Sequence, residues 1–226
     1  MIEIKDLKKI YRTQEVNTTA LDNINLRIQK GESVAIMGPS GCGKTTLLNI
    51  IGLLDKQSSG DIYFNGTEVS SLSESRRTKI RKQNIGFIFQ NFNLIDELSI
   101  YENVELPLRY LGMSATRRKK STEAVLDQME ISHKKNLFPS QLSGGQQQKA
   151  AIARAVVSKP ALILADEPTG NLDSINGEEV MCLLSQLNKE GTTLIFVTHS
   201  TAFSEYGNRV VQLFDGHIVT ENINRV

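Results

Sequence analysis

Short apolar runs without polar interruption alternate along the chain with stretches whose apolar positions recur every three or four residues. "SVAIM" (33–37), "ALILAD" (161–166) and "TTLIFVT" (192–198) are of the first kind. They predict parallel strands covered on both faces, because only two-sided burial tolerates apolar residues at consecutive positions. "IGFIFQ" (85–90) predicts another strand. "NINLRI" (23–28) and "DIYF" (61–64) alternate and predict half-buried strands, the second running into an Asn65-Gly66 turn. Val180, Leu183, Leu184 and Leu187 have helical spacing, and Gly191 stands where such a helix would end. "RVVQLFDGHIV" predicts a hairpin turning at Asp215-Gly216. Between about 91 and 157 strand signals stop and helical patterns take over. The expectation is one α/β domain over 1–226, with a helical part at approximately 91–157 inserted in its core.

Composition narrows the partners. Lys and Arg total 26 against 25 Asp and Glu, a balance that argues against nucleic-acid binding by bulk charge. No run of about 18 apolar residues occurs, so no membrane span is expected, and "MIEIKDLKKI" lacks the apolar core of a signal peptide. Cys42 and Cys182 lie far apart in sequence and are read as two reduced thiols. His133 and His217 are read as solvated, and the basic runs "SESRRTKIRK" and "TRRKK" as solvated helix faces.

The chemistry starts at "GPSGCGKT" (38–45), which fits G-x-x-x-x-G-K-[ST] between a predicted strand and an apolar helix. Gly38, Gly41 and Gly43 let backbone N–H groups face phosphate oxygens, and the helix starting near Lys44 adds its positive end. Ser40, Cys42 and Thr46 complete the candidate nucleotide-binding stretch. Lys44 would reach the β- and γ-phosphates, and the Thr45 hydroxyl would ligate Mg²⁺. In "ALILADEPTGNLD" (161–173) an apolar strand delivers Asp166 beside this loop, where it would hold Mg²⁺. Glu167 would polarise a water for attack on the γ-phosphorus. "QLSGGQQQKAAIARA" (141–155) opens a second helix on Ser143, a candidate N-cap, with Gly144 and Gly145 permitting close approach. Two phosphate-binding helix starts and one catalytic carboxylate fit a head-to-tail dimer, with each nucleotide held between two copies; an ordinary capped helix is the other reading.

Taken together, these motifs resemble the ATP-binding subunit of ABC transporters, in order and spacing over essentially the whole chain. "GPSGCGKT" looks like Walker A, "ALILAD" plus Glu167 like Walker B, "LSGGQ" (142–146) like the signature and "NLD" (171–173) like the D-loop. The resemblance implies a P-loop NTPase fold: a mostly parallel sheet core, an N-terminal antiparallel β part and an inserted helical subdomain. It implies a Mg-ATP hydrolysing subunit that dimerises around two ATPs and drives a separate permease, docked near residues 90–106, at the cytoplasmic face of the membrane. It gives Gln90 the role of a Q-loop residue contacting Mg²⁺ and γ-phosphate, and His199 that of a γ-phosphate contact. Tyr11 would stack on adenine, and Ser143, Gly145 and Gln146 would serve the partner's nucleotide. "NIIGLLD" and "FQNFNLIDELSIYENVELPL" are similar to the subgroup that powers lipoprotein release, macrolide efflux, antimicrobial-peptide resistance and cell-division signalling. Lys149 and Ser200 depart from that subgroup, which commonly has arginine and aspartate there. The alternative is a soluble ATPase of the same family acting as an assembly or regulatory factor without a permease.

Overall fold

The computed structural model describes residues 1–12 and 16–223. β1 (Ile2–Arg12) pairs antiparallel with β2 (Asn17–Ile28). β3 (Ser33–Met37) leads into α1 (Lys44–Ile51). β4 (Ser59–Phe64) and β5 (Thr67–Glu68) turn at Asn65-Gly66, and α2 (Glu74–Asn84) precedes β6 (Ile85–Phe89). Three helices follow: α3 (Ile100–Tyr110), α4 (Ala115–Gln128) and α5 (Gly144–Val156). β7 (Leu162–Asp166), α6 (Ser174–Lys189), β8 (Thr193–Val197) and the short α7 (Thr201–Ser204) come next. β9 (Arg209–Phe214) and β10 (His217–Ile223) end the described chain as a hairpin.

The strands form two sheets. One is antiparallel, in the order β2-β1-β4-β5. The other has the order β10-β9-β3-β8-β7-β6 and is parallel except for β10. The uninterrupted apolar runs now have a cause. Val34, Ile36, Leu162, Leu164, Ile195 and Val197 face the core shared with α1 and the antiparallel sheet. Their neighbours Ala35, Met37, Ile163, Ala165, Leu194 and Phe196 face the core shared with α3, α4, α5 and α6. Strand alternation therefore distributes residues between two apolar cores instead of between core and water.

Several turns obey local chemistry. Asp215 and Gly216 have φ 45° and 76°, as do Asn65 and Gly66 at 49° and 78°, the pair of positive values that a two-residue hairpin requires. Gly191, at φ 102°, follows the last turn of α6. Two expectations are revised. β2 begins at Asn17, six residues before the alternating stretch, because β1 offers it partners as far as Arg12. The basic run on α2 is not wholly solvated: Arg77 is 3% exposed and donates to the carbonyl of Asp55.

Candidate active site

Strand register assembles the motifs. Phe89 stands opposite Asp166, and Asp166 and Ile36 both stand opposite Val197. Gln90, Glu167, Thr198 and the loop after Met37 therefore leave the sheet in one row at its carboxyl edge, where open α/β sheets bind ligands.

The phosphate loop is pressed against its surroundings. Gly43 has φ 104°, and a β-carbon on it would meet the Ala20 carbonyl oxygen at 2.5 Å. A β-carbon on Gly38 would meet the Leu213 oxygen at 2.0 Å. Behind the loop, the tip of the β9–β10 hairpin donates from Gly216 N–H to the Cys42 oxygen at 3.1 Å. Cys42 itself is buried in the core beneath, while Ser40 is exposed and Thr46 half-buried. α1 starts on Gly43 without a side-chain cap, and its first helical bond runs from Leu47 N–H to the Gly43 oxygen at 2.9 Å. The earlier N–H groups lack a cap, so loop and helix present donors and positive potential to one spot. Lys44 Nζ donates to the carbonyls of Gly38 and Pro39, both at 2.9 Å, which folds its ammonium over the loop.

Thr45 Oγ1 donates to Asp166 Oδ1 at 3.2 Å. Burial raises the Asp166 carboxyl above its ordinary 3.8 and the charge of Glu167 adds to this, while Thr45 and Lys44 act the other way. A carboxylate that is expensive to ionise, beside a hydroxyl oxygen, forms a hard-oxygen pair suited to a divalent cation such as Mg²⁺.

Glu167 has φ 49°, a left-handed conformation that a non-glycine residue keeps only when its surroundings impose it. Its N–H donates to the Val197 oxygen at 3.1 Å, and its carbonyl accepts from Gly170 N–H at 3.0 Å. Its Oε1 accepts from His199 Nε2 at 2.5 Å. Gln90 points elsewhere. Its Nε2 donates to Asn171 Oδ1 at 3.3 Å, and Asn171 Nδ2 donates back to the Gln90 oxygen at 3.1 Å and to Asn91 Oδ1 at 2.8 Å. Tyr11 is 42% exposed on β1; its hydroxyl donates to Asp55 Oδ2 at 2.9 Å and Lys9 Nζ sits 4.6 Å from its ring centroid.

At the start of α5, Ser143 Oγ accepts from Gln146 N–H at 3.4 Å and Gln146 Oε1 accepts from Ser143 N–H at 3.2 Å, a reciprocal capping box. Ser143 is exposed, but Gly145 is buried. A β-carbon on Gly145 would meet Asn176 Oδ1 at 2.3 Å, so within one chain the close approach expected there is made to α6. Among the described residues no hydrogen bond joins Ser143 or Gln146 to the phosphate loop.

Three residues of this region carry no role in the sequence reading. Asn171 holds Gln90, and its place inside "NLD" was the only hint. Gln148 Nε2 donates to the Pro168 oxygen at 2.6 Å, and Arg154 donates to the Phe92 and Asn93 oxygens at 2.8 and 2.5 Å. The two departures have local partners: Lys149 pairs with Glu179 at 3.0 Å, and Ser200 caps α7 by accepting from Phe203 N–H at 3.3 Å.

Comparison with known proteins follows the same lines. The family described as ABC transporter matches residues 21–170. The ABC transporter ATP-binding protein MJ1508 of Methanocaldococcus jannaschii is 49% identical over 225 residues, covering 100% of both chains. The macrolide export ATP-binding/permease protein MacB of Syntrophobacter fumaroxidans is 45% identical over 225 residues, which cover 98% of this chain and 32% of that protein. The dimeric post-hydrolysis structure of the cassette MJ0796 of Methanocaldococcus jannaschii, bound to ADP and Pi, superposes with a TM-score of 0.93. It is 45% identical and covers 100% of both chains.

Proposed function

The chain belongs to the ABC transporter family, and on that premise we propose how its residues divide the work of an ATP-hydrolysing, nucleotide-binding subunit. The phosphate loop takes the β- and γ-phosphates, and Lys44 exchanges the Gly38 and Pro39 carbonyls for their oxygens. Tyr11 offers its ring to the adenine. Thr45 and Asp166 would hold Mg²⁺, and Gln90 would join them if its amide left Asn171. When bound, the ion supplies counter-charge to the phosphate oxygens. Glu167 accepts a proton from the water that attacks the γ-phosphorus in line, as the bond to the ADP oxygen breaks. His199 orients that carboxylate and contacts the γ-phosphate. The observation that carries this reading is the 2.5 Å bond between His199 and Glu167, directly after the Asp166 that meets Thr45.

Two copies then pair head to tail, with Ser143, Gly145 and Gln146 of one completing the nucleotide site of the other. The exposed Ser143 and the dimeric state of the related cassette support this arrangement. A membrane permease would dock in a groove of about 600 Å³ lined by Phe87, Phe89, Leu106, Pro107 and Tyr110, beside Arg154. Of the apolar residues after Gln90, Leu94 and Tyr101 pack on the core and Ile95 remains exposed. MacB, in whose name an ATP-binding part and a permease are joined, supports such a partner. No helix among the described residues is long and apolar enough to cross a membrane. The proposed location, on the permease at the cytoplasmic face, rests on the ATP-binding/permease pairing in the name of MacB.

The test is Glu167→Gln. It should keep ATP affinity, lower turnover by about 10²-fold or more, and leave an ATP-held dimer visible by light scattering. Turnover near that of the unmodified chain would remove Glu167 from the catalytic role.

A further inference from the structure

We infer that Gln148 is a positioning residue for ATP hydrolysis: its side chain ties the turn carrying Glu167 to the same helix that presents Ser143 to the nucleotide across the dimer. The inference rests on the proposed role of Glu167 as the group that activates water.

Gln148 is 0% exposed on α5, and its Nε2 donates to the Pro168 oxygen at 2.6 Å. Its Oε1 is buried and has no hydrogen-bond partner among the described residues. A buried acceptor left without a donor is disfavoured, and an apolar side chain of similar shape would avoid it. Packing alone therefore gives no reason for glutamine here. The reason lies at the other end of the amide, in the bond to Pro168.

That bond reaches a sensitive place. Glu167 is left-handed and needs its surroundings to hold it. Val197 fixes its N–H and Gly170 its carbonyl, both within the segment around the strand ends. Pro168 has no N–H, so its carbonyl is the only backbone group through which it can be held. Gln148 supplies that hold from a different element, α5.

α5 is not free to adjust independently. Ala150, Ala151, Ile152 and Ala153 are fully buried, so the helix moves as a piece with its core. Gln148 lies about 7.5 Å along the axis from the Ser143 cap. A shift of α5 imposed at Ser143 is therefore carried to Pro168 over one side chain, and a hydrogen bond tolerates only a few tenths of an ångström before it weakens. The helix that binds one nucleotide thus bears on the carboxylate that hydrolyses the other.

The test uses the full purified chain and compares Gln148→Met, which keeps the shape without a donor, with Gln148→His, whose Nε2–H has similar reach. For Gln148→Met, kcat should fall about 10- to 100-fold, while KM and calorimetric ATP affinity stay within about twofold. Gln148→His should recover a measurable part of the lost kcat. Equal loss in the Met and His variants, or a kcat within about twofold of the unmodified chain in Gln148→Met, overturns the inference. Gln148→Leu replaces Gln148→Met should the latter not fold. If every donor-less variant fails to fold and only Gln148→His survives, Gln148 serves folding and the inference is also overturned. Glu167→Gln separates the two levels: if it hydrolyses ATP normally, the role of Glu167 fails. If it is inactive while Gln148→Met is normal, only the inference about Gln148 fails.

Discussion

Helices α1 and α5 both start on glycine-rich turns, and they treat their free backbone donors in opposite ways. α1 begins on Gly43, with no capping side chain and no acidic residue in its first turn. α5 begins on Ser143 and closes a capping box with Gln146. The first arrangement leaves the donors and the helix dipole to an incoming anion, at the expense of an uncapped helix. The second satisfies the helix from within and leaves an exposed hydroxyl at its edge. On the proposed function, one start is a standing site within its own chain, and the other is self-sufficient until a second chain approaches. The difference would be invisible in a motif scan, since both stretches read as glycine followed by polar residues and then an apolar helix.

The sharpest way to break this contrast is Gly43→Ala. The residue has φ 104° and its new methyl would overlap the Ala20 oxygen, so both strain and clash apply. A loss of about 2–5 kcal/mol is expected, seen as a lower Tm, together with loss of ATP binding. Lys44→Ala spares the backbone but removes the ammonium; calorimetry should show ATP affinity lower by about 10- to 100-fold, with rate falling too. Ser143→Ala opens the capping box and should cost about 0.5–2 kcal/mol in thermal unfolding. It should leave ATP affinity of the single chain intact and weaken the ATP-dependent dimer in light scattering. Gly144→Ala is the smallest: the nearest atom to a β-carbon is Leu172 Cδ2 at 3.5 Å, and helical geometry accepts alanine. Stability should change by about 1 kcal/mol or less, in the stabilising direction. A Gly144→Ala as damaging as Gly43→Ala would show that the two helix starts share one constraint after all.

Much of this was legible from local pattern. Runs such as "SVAIM" and "ALILAD" became buried strands because two cores demand apolar residues at successive positions. Ser143 became a cap and Asp215-Gly216 a hairpin turn because both depend on residues within three or four positions. What depends on distant parts of the chain left no periodic trace. Gln90 meets Asn171, 81 residues away, and Arg77 owes its burial to the Asp55 carbonyl, 22 residues away. Gly145 illustrates the limit well. Its need for glycine was legible, while the neighbour that imposes it within the chain, Asn176, was not.

The hairpin behind the phosphate loop has a consequence for the order in which the site is completed. Across a trans peptide unit, the carbonyl and the N–H point in opposite directions. Gly216 draws the Cys42 carbonyl back toward the hairpin, and the N–H of that same unit belongs to Gly43. It is thereby turned away from the hairpin, toward the side on which the proposed function places the phosphates. The residues of this loop precede by more than 160 positions the group that aims it, Gly216 in the β9–β10 hairpin. On the proposed function, nucleotide affinity would report whether the β9–β10 hairpin has docked behind the loop.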